Sequence, residues 1–295
     1  MRQAAYANNQ HLLKRNRQKA VSTLQWGLFW AIMVISNPVS AFSAEDPWAF
    51  SLGAGAYATS VYYGSDETYV VPIPNARGTY TRGPFSASLS LLEGIGMMYT
   101  NKENHFWASI NCNSGSERDP EGYNALGMSR DHGDDVKKLL AGSPTVKTTV
   151  RTQMMIGYLS RLANFGFSLE YHPTTVEGDD NRSYNGFIAS LSCSKPFHVS
   201  EKMTITAMVD LSVMEQNYAE AWFAVENPTQ SLAAFDANAG LRDLQLIFQI
   251  DYMISPRFGI TFQNGNSVLL MDAADSPYTT SKYQMTSALY GFYNF

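Results

Sequence analysis

Residues 283–295 close the chain as an unbroken two-residue alternation. Phe295, Tyr293, Gly291, Leu289, Ser287, Met285 and Tyr283 form one row, and Asn294, Phe292, Tyr290, Ala288, Thr286 and Gln284 form the other. A period of two is the period of a strand. A terminal Phe with a Tyr two residues before it is the pattern of the closing strand of an outer-membrane barrel, with apolar side chains toward lipid and an aromatic ring at the interface. Phe292 and Tyr290 blur this pattern by putting aromatic rings on the second row too. An ordinary strand of a soluble sheet fits the same residues, so the rest of the chain has to decide.

The amino terminus narrows the choice. Arg2, Lys14, Arg15, Arg17 and Lys19 precede any acidic residue, the first being Glu45. An apolar run over 26–35 follows, too short to cross a bilayer as a helix, and Val39-Ser40-Ala41 offers small residues where a signal peptidase reads them. Residues 1–41 are therefore expected to be a Sec-type signal peptide, cleaved after Ala41 (or Ala44), with 42–295 as the mature domain. A membrane-anchoring helix is the alternative reading of the same stretch. Cleavage removes five basic and no acidic residues and takes the formal net charge from −5 to −10. A chain this acidic is a poor nucleic-acid binder. No other stretch reaches the apolar length of a transmembrane helix, so membrane residence would require a closed barrel.

Strands are predicted over 47–59, 69–82, 85–91, 95–99, 105–113, 146–158, 165–171, 187–194, 203–212, 244–252, 258–263 and 283–295. Alternation is cleanest from 105 onward, as where Phe165, Phe167, Leu169 and Tyr171 oppose Gly166, Ser168, Glu170 and His172. Pro72 and Pro74 mark an irregular or rim-proximal part of the second strand. Gly53-Ala54-Gly55 has a superficial likeness to a nucleotide loop, but neither a helical pattern nor a third glycine in register follows. One-faced segments of this kind build either a soluble sandwich or a membrane barrel. The low charged fraction of 16%, the aromatic strand ends and the amino terminus favour the barrel. Short connections (82–84, 101–104, 160–164, 195–202, 255–256) alternate with longer polar ones (115–145, 173–183, 215–238, 272–282), apart from a brief break at Glu93-Gly94. Short turns belong to the periplasmic side and long loops to the outside. The expected fold is an all-β, transmembrane antiparallel β-barrel of twelve strands, within a range of ten to fourteen. It requires 215–238 to be a single outer loop, although 219–225 could itself pair as a hairpin arm.

Several motifs carry a resemblance. Tyr63-Gly64-Ser65-Asp66 is followed by Val71-Pro72-Ile73-Pro74, then by Ser129-Arg130-Asp131 through Asp134-Asp135. Gly240-Leu241-Arg242-Asp243 and Ala273-Ala274-Asp275-Ser276-Pro277 complete the series before the terminal strand. In this order they resemble the MipA/OmpV family of outer-membrane proteins, across the whole mature chain. His132-Gly133 interrupts the acidic stretch that runs straight on in the family, and Leu139-Leu140-Ala141-Gly142 matches only partly. The resemblance implies an outer-membrane location in a Gram-negative bacterium and a scaffold between a murein-cleaving lytic transglycosylase and a murein synthase. Other members look like surface-exposed or porin-like proteins.

Chemistry-bearing residues are sparse. Cys112 and Cys193 fall on apolar rows of the fifth and eighth strands, too far apart to bridge, and are expected as free thiols. Ser168, Glu170 and His172 share one inward row; lumen lining is favoured over an outer-leaflet lipid hydrolase, and no enzymatic activity is expected. No His or Cys set has metal-ligand spacing, and no cofactor is expected. Asp131, Asp134 and Asp135, with Glu177, Asp179 and Asp180, are acidic loop clusters that either bridge divalent cations to lipopolysaccharide or are simply solvated. Arg151, Glu170, Asp210 and Asp251 are the candidate lumen charges. The leading functional expectation is a cell-envelope scaffold whose periplasmic contacts fall on 195–202, the largest short turn. A narrow porin-like channel is the alternative. The expected contacts are outer-membrane lipid and lipopolysaccharide, a murein hydrolase or synthase, and the barrel-assembly machinery through the strand ending in Phe295.

Overall fold

A computed structural model describes residues 47–295, apart from 102, 126–127 and 178–180. The expected signal peptide, Asp179 and Asp180 lie outside the described residues. In chain order the strands are β1 (Trp48–Ser60), β2 (Thr68–Arg82), β3 (Phe85–Ser90), β4 (Gly94–Asn101) and β5 (Phe106–Ser114). Four short ones follow, β6 (Glu117–Arg118), β7 (Gly122–Ala125), β8 (Met128–Asp131) and β9 (Thr145–Thr148). The long strands resume as β10 (Val150–Leu159), β11 (Asn164–Glu177), β12 (Arg182–Ser200) and β13 (Met203–Met214). The last three are β14 (Gly240–Met253), β15 (Phe258–Leu269) and β16 (Tyr283–Asn294). Helices α1 (Asp134–Leu140), α2 (Gln216–Phe223) and α3 (Met271–Asp275) lie in the connections.

Twelve of these strands, β1–β5 and β10–β16, form a closed antiparallel ring. β1 pairs with β16 and β10 with β11, so the ring has no terminal seam. Two staves are extended by short pieces. β6 continues β5, and β9 continues β10 across a break at Thr149, pairing in turn with β11. All twelve predicted strands are present.

Alternation decides which side chain meets lipid. The outward row carries Phe165, Phe167 and Leu169 on β11, Leu244, Leu246 and Phe248 on β14, and Met285, Leu289 and Tyr293 on β16, all exposed. Their opposite rows turn inward and carry most of the polar side chains, including buried Gln245 and Gln249 on β14. Phe292 and Tyr290, the aromatics that blur the last strand, point inward. They fit because β1 faces them with Gly53 and Gly55; a Cβ at Gly55 would collide with the Tyr290 backbone and Cβ. The two glycines thus serve close packing inside the barrel.

Five short turns and both ends of the described chain lie at one end, the terminal rim. The longer connections lie at the other, the loop rim. Three expected connections need correction. Residues 195–200 are strand, pairing with β13 through Lys195↔Ala207 and Phe197↔Ile205, so the turn is only Glu201-Lys202. Much of 173–183 is also strand, because β11 and β12 pair as far as Val176↔Arg182. Residues 219–225 are no hairpin arm: most belong to α2, and only Val225 makes an isolated bridge, to Phe235.

Hairpin β3–β4 is shorter than its neighbours, which lowers the wall there. β2 pairs with β1 along its length but with β3 only from Arg77 to Arg82. Among the described residues no strand covers the far edge of 68–76. Ala76 turns its backbone toward that edge, where its carbonyl accepts from Leu91 N–H at 3.0 Å. Backbone direction alternates along a strand, so Pro72 and Pro74 face the same edge. Neither has an N–H to leave unpaired in hydrocarbon, and each missing donor avoids a cost of about 1–3 kcal/mol. We expect Pro72→Thr with Pro74→Thr to lower barrel stability by roughly that amount per residue. Urea unfolding in micelles measures it, and an unchanged midpoint would show that the edge is covered by something else.

Candidate functional site

The candidate site is the barrel interior, where inward rows of six adjacent strands bring polar side chains together. Glu170 on β11 is its centre. Arg151 on β10 donates from Nη1 to Glu170 Oε2 at 3.1 Å, and Gln153 donates from Nε2 to Oε1 at 2.7 Å. Arg151 Nε also reaches Asn113 Oδ1 on β5 at 3.1 Å. His172 Nε2 lies 3.1 Å from Glu170 Oε2, and its ring sits edge-on to Tyr218 of α2 at 5.1 Å. Further round the wall, Ser212 Oγ donates to Asp210 Oδ1 at 3.0 Å and lies 2.9 Å from Ser190 Oγ. Arg242 on β14 completes the arc. Its Nε donates to Asp243 Oδ2 at 2.8 Å, and its guanidinium lies over Tyr63 at 5.0 Å and Tyr218 at 5.9 Å. Tyr63 also donates to Asp243.

This network is buried. Arg151 and Asp210 are 4% and 3% exposed, and His172 and Ser212 1% each. Side chains lining a water-filled pore would be open to water; these are paired with one another, as buried charges must be.

The chain itself closes the loop end. α2 carries Tyr218, Ala219, Ala221, Trp222 and Phe223, all buried, against Val146, Ile188 and Met214 of the wall. It comes this close because Gly186 on β12 has no side chain. A Cβ there would lie 2.8 Å from Tyr218 Cα and 2.9 Å from its backbone nitrogen. On the other side, α1 buries Val136 and Leu140 with Leu232 against Tyr69, Val71 and Ile73, an apolar inward row of β2. Asp134 and Asp135 in the first turn of α1 and Lys137 and Lys138 in its last match the helix dipole. Gly133 N–H donates to the Glu67 carboxylate at 2.9 Å, which caps the helix from another loop.

The family-motif positions meet at the loop rim, although more than two hundred residues separate the first from the last. Thr280 and Ser281 N–H both donate to Gly64 O, at 2.9 and 3.0 Å. Ser65 is fully buried and accepts from Glu67 N–H at 3.1 Å. Thr280 Oγ1 bonds Asp66 Oδ1 at 2.8 Å. Ser276 Oγ donates to Phe223 O at 2.6 Å, tying α3 to α2, while Asp275 pairs with Lys282 at 2.9 Å and Pro277 follows the helix end. Tyr62 donates to Tyr278 O at 3.0 Å, and burial pushes its phenol up to about 12, so it remains a donor at any ordinary pH. Arg118, 3% exposed, stacks 3.5 Å over Tyr278 and donates to Trp222 O. Pro72 and Pro74 belong to the wall edge instead. Arg130 and Asp131 sit on the β7–β8 hairpin, with Asp131 paired to Lys137 at 3.1 Å.

Of the four expected lumen charges, Arg151 and Glu170 form one ion pair and Asp210 joins the same arc. Asp251 stands apart, nearer the terminal rim, accepting from Thr261 at 2.7 Å and Gln249 at 2.6 Å. Ser168 faces inward, but no hydrogen bond joins it to His172 among the described residues, and Glu170 is already committed to Arg151. Cys112 and Cys193 are exposed free thiols, as expected. Asp243 and α2 escaped the sequence reading as lumen elements; a helix of eight residues spans too few turns for its period to stand out. Gly186→Val should expel α2, leaving heat-modifiable gel migration intact while α2 becomes protease-sensitive and conductance rises above background. An unaltered protease pattern would mean that α2 does not close the barrel.

A search of curated proteins gave no match. Among solved structures the chain is similar to OmpT of Vibrio cholerae, at 7% identity and a TM-score of 0.36, covering 84% of this chain and 97% of that one. It is similar also to the translocator domain of the autotransporter NalP from Neisseria meningitidis, at 11% identity and a TM-score of 0.40, covering 99% and 97%. The toluene transporter TbuX of Ralstonia pickettii gives 9%, 0.33, and coverage of 84% and 89%. The family model described as MltA-interacting protein MipA matches residues 52–295, nearly all of the barrel, and the chain belongs to that family.

Proposed function

We propose that this barrel resides in the outer membrane of a Gram-negative envelope and acts there as an adaptor for murein enzymes, with no catalytic role of its own. The observation that carries the choice over a porin is the interior. Arg151, Glu170 and His172 are bonded to one another and Asp210 to Ser212, all of them buried, and the His172 ring lies against Tyr218 of α2, so the polar groups that would conduct ions are engaged within the protein. The family description, MltA-interacting protein, supports a protein partner. From the family resemblance that partner is a murein-cleaving hydrolase, with a murein synthase as the second ligand. Lipopolysaccharide around the loop rim and the assembly machinery at Phe295 complete the proposed contacts.

The partner's contact surface is the terminal rim. β12 continues past its last pairing with β11, Asn164↔Ser194, so that 195–200 pairs with β13 alone. This gives the rim a stepped edge bearing Lys195, Lys202 and the exposed Phe197 and Val199. Lys195→Glu with Lys202→Glu should reduce copurification of the murein hydrolase at least tenfold without altering heat-modifiable migration. Undiminished copurification would remove this surface from the proposal. Steady single-channel conductance of the unaltered protein in a planar bilayer would favour the porin instead.

A further inference from the structure

The outward face of β15 carries two adjacent carboxamides in an otherwise apolar row. Its outward row reads Phe258, Ile260, Phe262, Asn264, Asn266 and Val268. Phe258 pairs with Tyr293 near the terminal rim, and Val268 with Tyr283 near the loop rim. At about 3.4 Å per residue and a tilt of roughly 40°, these aromatic levels stand about 26 Å apart, the height of an outer-membrane apolar band. Both asparagines lie between them, within the hydrocarbon.

Their hydrogen bonds run in one direction and stop short. Asn266 Nδ2 donates to Asn264 Oδ1 at 2.6 Å, and Asn264 Nδ2 donates to Ser287 Oγ on β16 at 2.9 Å and to Thr286 O at 3.3 Å. Asn266 ends the chain. Its carbonyl oxygen takes no hydrogen bond among the described residues, and its side chain is exposed. A carboxamide left open toward acyl chains is costly, because hydrocarbon offers neither donor nor acceptor.

Beside this patch small outward residues alternate with Leu289 and Met285 of β16. Ser287 lies opposite Ala58, Gly291 opposite Ala54, and Ala56 opposite Pro72, all on outward rows. No charged side chain stands among them. The small side chains leave hollows between Leu289 and Met285, into which the matching residues of another barrel could seat. The same side ends at the uncovered edge of β2.

We propose that a second copy of this chain packs on the β15–β16–β1–β2 wall about a twofold axis, so that the Asn264–Asn266 carboxamides of the two copies hydrogen-bond each other in the membrane. A carboxamide is both donor and acceptor, and a twofold axis brings a patch against itself, so an identical partner satisfies both halves. An acyl chain satisfies neither. The inference needs membrane insertion but not the adaptor role.

The test uses the full chain with Cys112 and Cys193 changed to Ser, carrying Ala58→Cys or, on the opposite wall, Ile156→Cys. A short thiol-reactive crosslinker is applied to intact membranes, and heat-modifiable migration verifies that each barrel is folded. A crosslinked dimer at 58 and none at 156 is expected. Ala54→Cys reads the same wall should the variant at 58 not fold. Only monomers at both wall positions, equal dimer yields at 58 and 156, or a crosslink to a different protein would each overturn the pairing. Asn264→Leu with Asn266→Leu should lower the dimer fraction on native gels at least tenfold in folded barrels; dimers that persist would also refute it.

Discussion

Everything in this molecule follows from one constraint: a backbone hydrogen-bonding group facing hydrocarbon must find its partner within the protein. A ring of antiparallel strands meets that demand with each stave paired on both sides, and the β1–β16 ladder closes it. Where the ring falls short, the chain compensates locally. β3 and β4 are too short to cover the upper part of β2, and at that edge the positions that would turn an N–H toward lipid include two prolines.

A twelve-stranded ring encloses more space than its own inward side chains fill, and this chain fills it from within. Tyr290 and Phe292 occupy the terminal half over the glycines of β1. Toward the loop rim, α1 and α2 enter with apolar faces, one against β2 and the other against β9, β12 and β13. Between them, the pairs centred on Glu170 and Arg242 satisfy the charges that the wall turns inward. A buried ion pair adds little net stability, but it fixes which surfaces can meet. Tyr218, between His172 and Arg242, makes the position of α2 depend on both charge groups.

The loop rim is a joint of four connections. Gly64 to Thr280 and Ser281, Ser276 to Phe223, and Arg118 over Tyr278 each tie one loop to another. Conformational freedom in one loop therefore limits that of the others. A gated pore would require this joint to open.

The sequence by itself determined the staves and their faces. Alternation from 105 onward gives Phe167 to lipid and Glu170 to the interior, because a strand turns successive side chains to opposite sides whatever surrounds it. It gave twelve strands, free thiols at Cys112 and Cys193, and the four inward charges Arg151, Glu170, Asp210 and Asp251. It could not say that Arg151 and Glu170 pair, that residues 195–200 continue a ladder, or that 216–223 is a helix inside the barrel. Those outcomes rest on contacts across the ring, such as Gly186 beneath Tyr218 and Gly64 against Thr280. The tertiary structure alone decided them, because a local pattern fixes the direction of a side chain but not the surface that comes to meet it.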